Sequence, residues 1–154
     1  MVAHDTALVA VDFGAPEDRL WRLLRRRFGP IDPVAATDPL GAVDRLRAYL
    51  AGDLEALAGL PVDSGGTPFQ RLVWAALRRI PAGAAWSYKA LAEHLGRPAA
   101  IRAVGLANGA NPIGIVVPCH RVIGADGSLT GYGGGLPRKR WLLEHEGALL
   151  RIGA

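Results

Sequence analysis

The run Ser64-Gly65-Gly66-Thr67-Pro68-Phe69-Gln70 constrains this chain more than any other. Thr67 and Gln70 have the spacing of a capping box, in which each side chain satisfies the other residue's backbone amide. Pro68 follows at the first helical position, where its missing N–H leaves no bond unmade. A helix is therefore predicted from this point. Behind it, Phe69, Leu72, Val73, Ala76, Leu77 and Ile80 recur at helical spacing until Pro81 to Gly83 break the run. The Ser-Gly-Gly before the box reads as a joint. It divides the chain into a small lobe over residues 1–63 and a second over 64–154. With 154 residues, half of them hydrophobic, two small lobes can each bury a core.

In the first lobe, Ala7 to Phe13 alternates loosely and reads as a strand ending at Gly14. Pro16 to Phe28 reads as a helix with Leu20, Leu23 and Leu24 on one face, stopped by Gly29-Pro30. Asp38-Pro39 is an N-cap pair, and the helix it opens carries Val43, Leu46, Tyr49 and Leu50 inward and ends at Gly52. Leu60 to Asp63 is a candidate short strand. In the second lobe, Ser87 caps a helix through Leu95, Gly96 turns the chain, and another helix runs from about Pro98 to Asn108. That is helix-turn-helix spacing. Ile113 to Val117 is a buried strand or extended segment, Gly124 to Gly127 a turn, and Gly131 to Gly135 a glycine-rich loop. Pro137 opens the last helix and Gly147 closes it. The class is α+β: a short antiparallel sheet with helices, then a mainly helical lobe with a winged-helix-like helix-turn-helix.

Charge narrows the partners. Residues 1–62 hold nine acidic against seven basic side chains, whereas residues 63–154 hold eleven basic against five acidic, a net +6. Such a basic half suits a polyanion, nucleic acid first, although arginine is also an ordinary solvated residue. No apolar run reaches the roughly 20 residues needed to span a bilayer. The start carries His4 and Asp5 with no basic segment, unlike a secretory signal. One cysteine leaves no internal disulfide and no cysteine-rich zinc site, and His4, His94, His120 and His145 lack ligand spacing. A cytosolic protein without metal or cofactor is expected.

Three features can carry chemistry. Cys119 is either a small buried hydrophobe or a nucleophile. Pro118, His120 and Arg121 around it favour the second, since an imidazole and a guanidinium can hold a thiolate. Neighbours on a strand point apart, so His120 reaches the sulfur only through a backbone turn or a water. Glu146 stands at a helix C-terminus, where the macrodipole disfavours a carboxylate. It is either a solvated helix end or an acid that orients a histidine. The helix around residue 102 has Arg102 as its only charge among Ala99, Ala100, Ala103, Gly105, Ala107 and Gly109. It either packs closely on another helix or lies against a groove with Arg102 inserted, and it lacks groups for reading base edges. The Gly131–Gly135 loop matches neither phosphate-binding fingerprint and suits a close approach to a ligand or a lid.

Together these segments resemble one family. Pro118-Cys119-His120-Arg121-Val122 is similar to the acceptor motif of the O6-alkylguanine-DNA alkyltransferases. The likeness extends through Ser87-Tyr88, Arg102-Ala103-Val104-Gly105, Ala107-Asn108, Asn111-Pro112, Gly131-Tyr132 and His145-Glu146-Gly147. It implies that Cys119 accepts an alkyl group, once, from O6-alkylguanine or O4-alkylthymine in double-stranded DNA. By the same resemblance, His120 takes the thiol proton through a water and Glu146 orients His120. Tyr88 donates a proton to the guanine ring and Asn111 braces the turn before the acceptor segment. Arg102 fills the gap left by a flipped base, with Ala103, Gly105 and Arg121 on the DNA side. The backbone carbonyls of Cys119 and Val122 read the exocyclic amine, and Tyr132 with Gly133 covers the pocket. A monomer needing neither cofactor, metal nor membrane is implied.

Two departures from the family's pattern matter. Relatives usually place another strand before the one expected at Ala7 to Phe13, so the first sheet is expected to be incomplete here. At position 133, where many relatives carry Ser or Arg, this chain has Gly, leaving a backbone N–H to face the base oxygen in a wider pocket.

Overall fold

The computed structural model describes residues 1–4, 6–13 and 17–149. It forms two compact units: residues 1–66 with 112–116, and residues 67–111 with 117–154.

In the first unit, β1 (Val2–His4) pairs antiparallel with β2 (Ala7–Ala10), in register Ala3 with Leu8 and His4 with Ala7. The first sheet is thus a hairpin, and the expectation that it lacks a strand before Ala7 is corrected. The strand's expected stop at Gly14 and the first helix's start at Pro16 lie outside the described residues. Leu8, Val9, Ala10 and Val11 are all buried, so the loose alternation reflects a strand covered on both sides. One cover is α1 (Glu17–Phe28), whose Leu20, Trp21, Leu24 and Phe28 pack with Val9 and Ala10. Val62 bridges Leu8 and Ile113 bridges Val11, both in parallel, so the short strand expected at 60–63 is a single bridge. Residues 113–117, expected as a strand or extended segment, keep one bridge and turn over 114–116.

Asp38 reaches the helix across a 3₁₀ turn instead of standing at its N-cap, which is Gly41. Its Oδ1 accepts from the Val43 amide at 2.7 Å, and α2 runs over Ala42–Leu50. Ala42 and Tyr49 are buried and Val43 and Leu46 half-buried, whereas Leu50, expected inward, is 45% exposed.

The second unit opens as the capping box requires. Thr67 Oγ1 accepts from the Gln70 amide at 3.2 Å, Gln70 Oε1 accepts from the Thr67 amide at 2.9 Å, and α3 spans Pro68–Leu77. Its buried side is Val73, Trp74, Ala76 and Leu77, while Leu72 is 43% exposed. Trp74 buries its polar edge because Nε1 donates to the Ala107 carbonyl at 2.8 Å.

A two-residue strand, β3 (Trp86–Ser87), pairs in parallel with β4 (Val122–Ile123). Ser87 then caps α4 (Tyr88–His94), its Oγ accepting from the Ala90 amide at 3.0 Å. Gly96, at φ +66°, turns the chain as only glycine does without strain. A 3₁₀ turn, Pro98–Ala100, leads into α5 (Ile101–Gly109), and α3 and α4 both pack against it. The last helix, α6 (Leu136–His145), ends at Glu146 and Gly147. Ile123, Leu143 and Ala148 form a core beneath it. The small β3–β4 ladder matters most for chemistry, since it fixes the start of α4 beside the segment that follows Cys119.

Candidate active site

Cys119–Arg121 is a 3₁₀ turn entered from Pro118. Successive side chains there diverge by about 120° rather than alternating, with three residues per turn. The backbone turn needed for neighbouring groups to serve one site is therefore present. Cys119 and His120 are both buried.

His120 and Glu146 bury their side chains completely and meet at 3.0 Å, Nε2 to Oε1. Arg121 folds onto the same carboxylate: Nε donates to Oε2 at 2.9 Å and Nη2 to Oε1 at 2.8 Å. Its Nη1 donates to the Ile80 carbonyl. Burial alone would push the Glu146 carboxyl up. The hydrogen bonds and charges of His120 and Arg121 outweigh that and hold it at about 2. A carboxylate at the C-terminus of α6, opposed by the helix dipole, is thus held ionised by two donors.

An ionised Glu146 can only accept, so His120 Nε2 carries the proton and Nδ1 keeps a lone pair. Burial lowers the His120 pKa against the pull of Glu146, and the imidazole is neutral at physiological pH. Nδ1 has no hydrogen-bond partner among the described residues. The result is a neutral base, fixed in tautomer by its carboxylate, with one nitrogen available for a proton.

Asn111 serves the sulfur directly. Its Nδ2 donates to the Val117 carbonyl at 2.8 Å and to Cys119 Sγ at 3.1 Å, using both amide hydrogens. Asn108 Nδ2 donates to the Cys119 carbonyl at 3.3 Å. The acceptor segment is thus held from the end of α5 at both carbonyl and sulfur.

Tyr88 begins α4, and its hydroxyl donates to the Thr130 carbonyl at 3.4 Å. Burial raises its pKa, outweighing the hydrogen bonds to Thr130 and Asn108, so it stays a neutral O–H. Tyr132 sets its ring edge-on to His120, with centroids 6.4 Å apart. Gly133 lies exposed in the turn closed by the Gly135 amide on the Tyr132 carbonyl. Val122 is buried in β4. Its carbonyl accepts from Lys139 Nζ, whereas that of Cys119 already accepts two internal donors, Asn108 Nδ2 and the Val122 amide.

Asn111 with Cys119, and His120 and Arg121 with Glu146, therefore form two hydrogen-bonded groups joined through the Cys119–Arg121 turn. Arg102 and Ala103 lie elsewhere, on the exposed side of α5. Gly105 is half-buried, and a Cβ there would touch the Tyr88 ring at 3.9 Å. Arg121 was expected on the DNA side. Its side chain is only 11% exposed and is occupied by Glu146 and Ile80.

Sequence reasoning passed over Lys139. Its ammonium is fully buried and donates to the Val122 and Thr130 carbonyls, each at 2.6 Å, with the Tyr88 ring 6.0 Å away. Burial lowers its pKa to about 8, against a raising pull from Cys119. The one available signal was rarity, because Lys139 is one of only two lysines in an arginine-rich chain. Among the described residues no cluster of three metal-ligating side chains occurs, and no helix is long and apolar enough to cross a membrane.

Residues 68–148 match the family described as 6-O-methylguanine DNA methyltransferase, DNA binding domain. A methylated-DNA–protein-cysteine methyltransferase of Shigella flexneri is 54% identical over 145 residues, 93% of this chain and 85% of that protein. One from Mycobacterium tuberculosis is 54% identical over 128 residues, covering 81% and 77%. The crystal structure of the Mycobacterium tuberculosis O6-methylguanine methyltransferase superposes with a TM-score of 0.75 at 48% identity, covering 95% of this chain and 84% of that one. A crystal structure of the Mycobacterium tuberculosis protein in complex with DNA gives 0.67 at 56% identity, covering 74% and 73%.

Proposed function

The chain belongs to the methylated-DNA–protein-cysteine methyltransferases, and on that premise we propose that it repairs DNA by moving the alkyl group of O6-alkylguanine onto Cys119. The observation that carries the proposal is the cluster at the sulfur: Asn111 donating to Sγ, beside a neutral His120 fixed by Glu146. A thiolate is the nucleophile, and such a cluster supplies both the base that forms it and the donor that steadies it.

His120 Nδ1 takes the thiol proton through a water. The sulfur attacks the alkyl carbon, a C–S bond forms, the C–O bond breaks and its electron pair stays on the base oxygen. Tyr88 passes a proton to the ring, so the guanine leaves neutral. In balance, the thiol hydrogen replaces the alkyl group on the base. No step cleaves the thioether back to the thiol, so each molecule acts once. O4-alkylthymine presents the same alkoxy carbon and is the expected second substrate.

The reacting carbon lies inside the duplex, so the base must leave the stack, which costs about a few kcal/mol. Arg102, exposed on a helix of small residues, fits the space a flipped base vacates from the minor groove. The Val122 carbonyl suits the exocyclic amine, that of Cys119 being taken by Asn108 and the Val122 amide, and Tyr132 with Gly133 covers the pocket. Arg121 positions Glu146 rather than reaching for phosphates, and a monomer suffices for all of this.

Intact-mass analysis after incubation with duplex DNA carrying one O6-methylguanine tests the reading. One methyl group per protein, mapped to the Cys119 peptide, is expected. Unchanged mass with demethylated DNA released over many turnovers would instead describe a hydrolase.

A further inference from the structure

Leu106 is 77% exposed on α5, although it is a large apolar side chain in the middle of a helix. The buried side of that helix is Val104, Ala107 and Asn108, and Trp74 holds it from behind through the Ala107 carbonyl. Arg102 stands four residues earlier, hence on the same face about 5–6 Å away. Ala103 and Gly109 are also exposed there and have almost no relief. Arg102 and Leu106 are therefore the two large projections along that face, with Ile101, 39% exposed, to one side at the first position of the helix. The surroundings suit a polyanion, since no acidic residue occurs between Glu93 and Asp126.

We propose that Leu106 is a second, apolar point of contact with the DNA minor groove, one helical turn beyond Arg102, packing on the deoxyribose edges that wall the opened duplex. The inference rests on the repair reading above and deepens it. An arginine can fill a vacated stack and meet a phosphate, but it cannot exclude water from sugar C–H surface. A leucine at the next turn does so without reading sequence. Apolar side chains are used in this way at minor-groove interfaces, where they hold a distorted duplex open.

The test compares wild type, Leu106→Ala and Leu106→Met by single-turnover transfer on duplex DNA carrying O6-methylguanine and on free O6-benzylguanine. The reading is the ratio of the two rate constants, with thermal melting as a check on folding. Leu106→Ala should lower the ratio roughly ten-fold, the loss expected when a leucine gives up partial burial. Leu106→Met, which keeps the volume, should restore most of it. Duplex affinity, measured in a Cys119→Ala background, should fall while its salt slope stays unchanged, since no phosphate contact is lost.

An unchanged or increased ratio overturns the proposal, and so does an equal loss on both substrates, which would give Leu106 a structural role. Concentration-dependent self-association abolished by Leu106→Ala also overturns it, in favour of a second copy of this chain on that face. Should wild type fail to demethylate the duplex at all, the repair reading itself falls, and that result is distinct from any of these.

Discussion

Glu146→Gln removes a charge and one acceptor from the most densely bonded point of the site. The carboxylate accepts on both oxygens: His120 and Arg121 donate to Oε1, and Arg121 Nε donates to Oε2. Glutamine keeps one oxygen and sets an NH₂ group where Oε2 was, donor against donor. The Arg121 charge, largely buried, then loses its partner. Breaking one side of a buried ion pair costs about 3–5 kcal/mol. The protonation behaviour leads to a similar figure. Holding the carboxyl at about 2 against an ordinary 4.5 corresponds to about 3 kcal/mol at neutral pH. For a chain of this length, that amounts to a fall in melting temperature of roughly 6–12 °C.

The sign of the pH dependence follows. A depressed carboxyl stabilises the fold above its ordinary value, and the contribution is lost as pH falls from about 4.5 through about 2. His120 acts on acidification as well: its lowered pKa favours the neutral ring, so stability declines as pH drops below the ordinary 6.5. Denaturant melts at several pH values should show the wild type losing stability over the 4.5-to-2 window and Glu146→Gln lacking that component. Single-turnover transfer to free O6-benzylguanine, run well below the mutant's melting temperature, measures the chemistry without DNA. With His120 no longer oriented, the rate should fall by up to about 10²–10⁴, the usual worth of a general base. Adding His120→Ala should then cost little more, because members of such a unit are grossly non-additive. A mutant that melts and reacts like wild type, or fully additive losses, would refute the relay.

Cys119→Ala should abolish transfer while retaining most of the duplex affinity, which phosphate contacts dominate; any alkylated protein recovered from it would remove Cys119 as acceptor. Arg102→Ala should slow repair of duplex far more than reaction with free O6-benzylguanine, since a wedge acts only on a stacked base, and equal losses on both would place Arg102 in the chemistry or the fold. Lys139→Met leaves the Val122 carbonyl without the ammonium and the Thr130 carbonyl with the Tyr88 hydroxyl alone, at about 1–3 kcal/mol for a buried group left unpaired. In single-turnover transfer, its half-saturating O6-benzylguanine concentration should rise more than its limiting rate constant falls, and an unaltered half-saturation would detach Lys139 from the pocket.

What was legible in the sequence was local. The Thr67–Gln70 box and the Ser87 cap each close within three residues, and both form where their spacing places them. The acceptor motif was legible because five adjacent residues carry it. What was not legible depends on partners far along the chain. The β3–β4 ladder joins residues 36 apart through two residues on each strand, too few for any periodic pattern. Arg121 was read as free to meet DNA because nothing adjacent engages it, yet the carboxylate that captures it lies 25 residues on. Val34, Leu50 and Leu72 stay exposed while Lys139 is buried, against the hydropathy of all four. Lys139 is the sharpest case. A lysine is buried only where carbonyls replace its water, and those of Val122 and Thr130 converge only after α6 folds back over the loop. A pattern within one element cannot encode that convergence, so the buried ammonium of Lys139 and the capture of Arg121 were the parts of the site least visible in sequence.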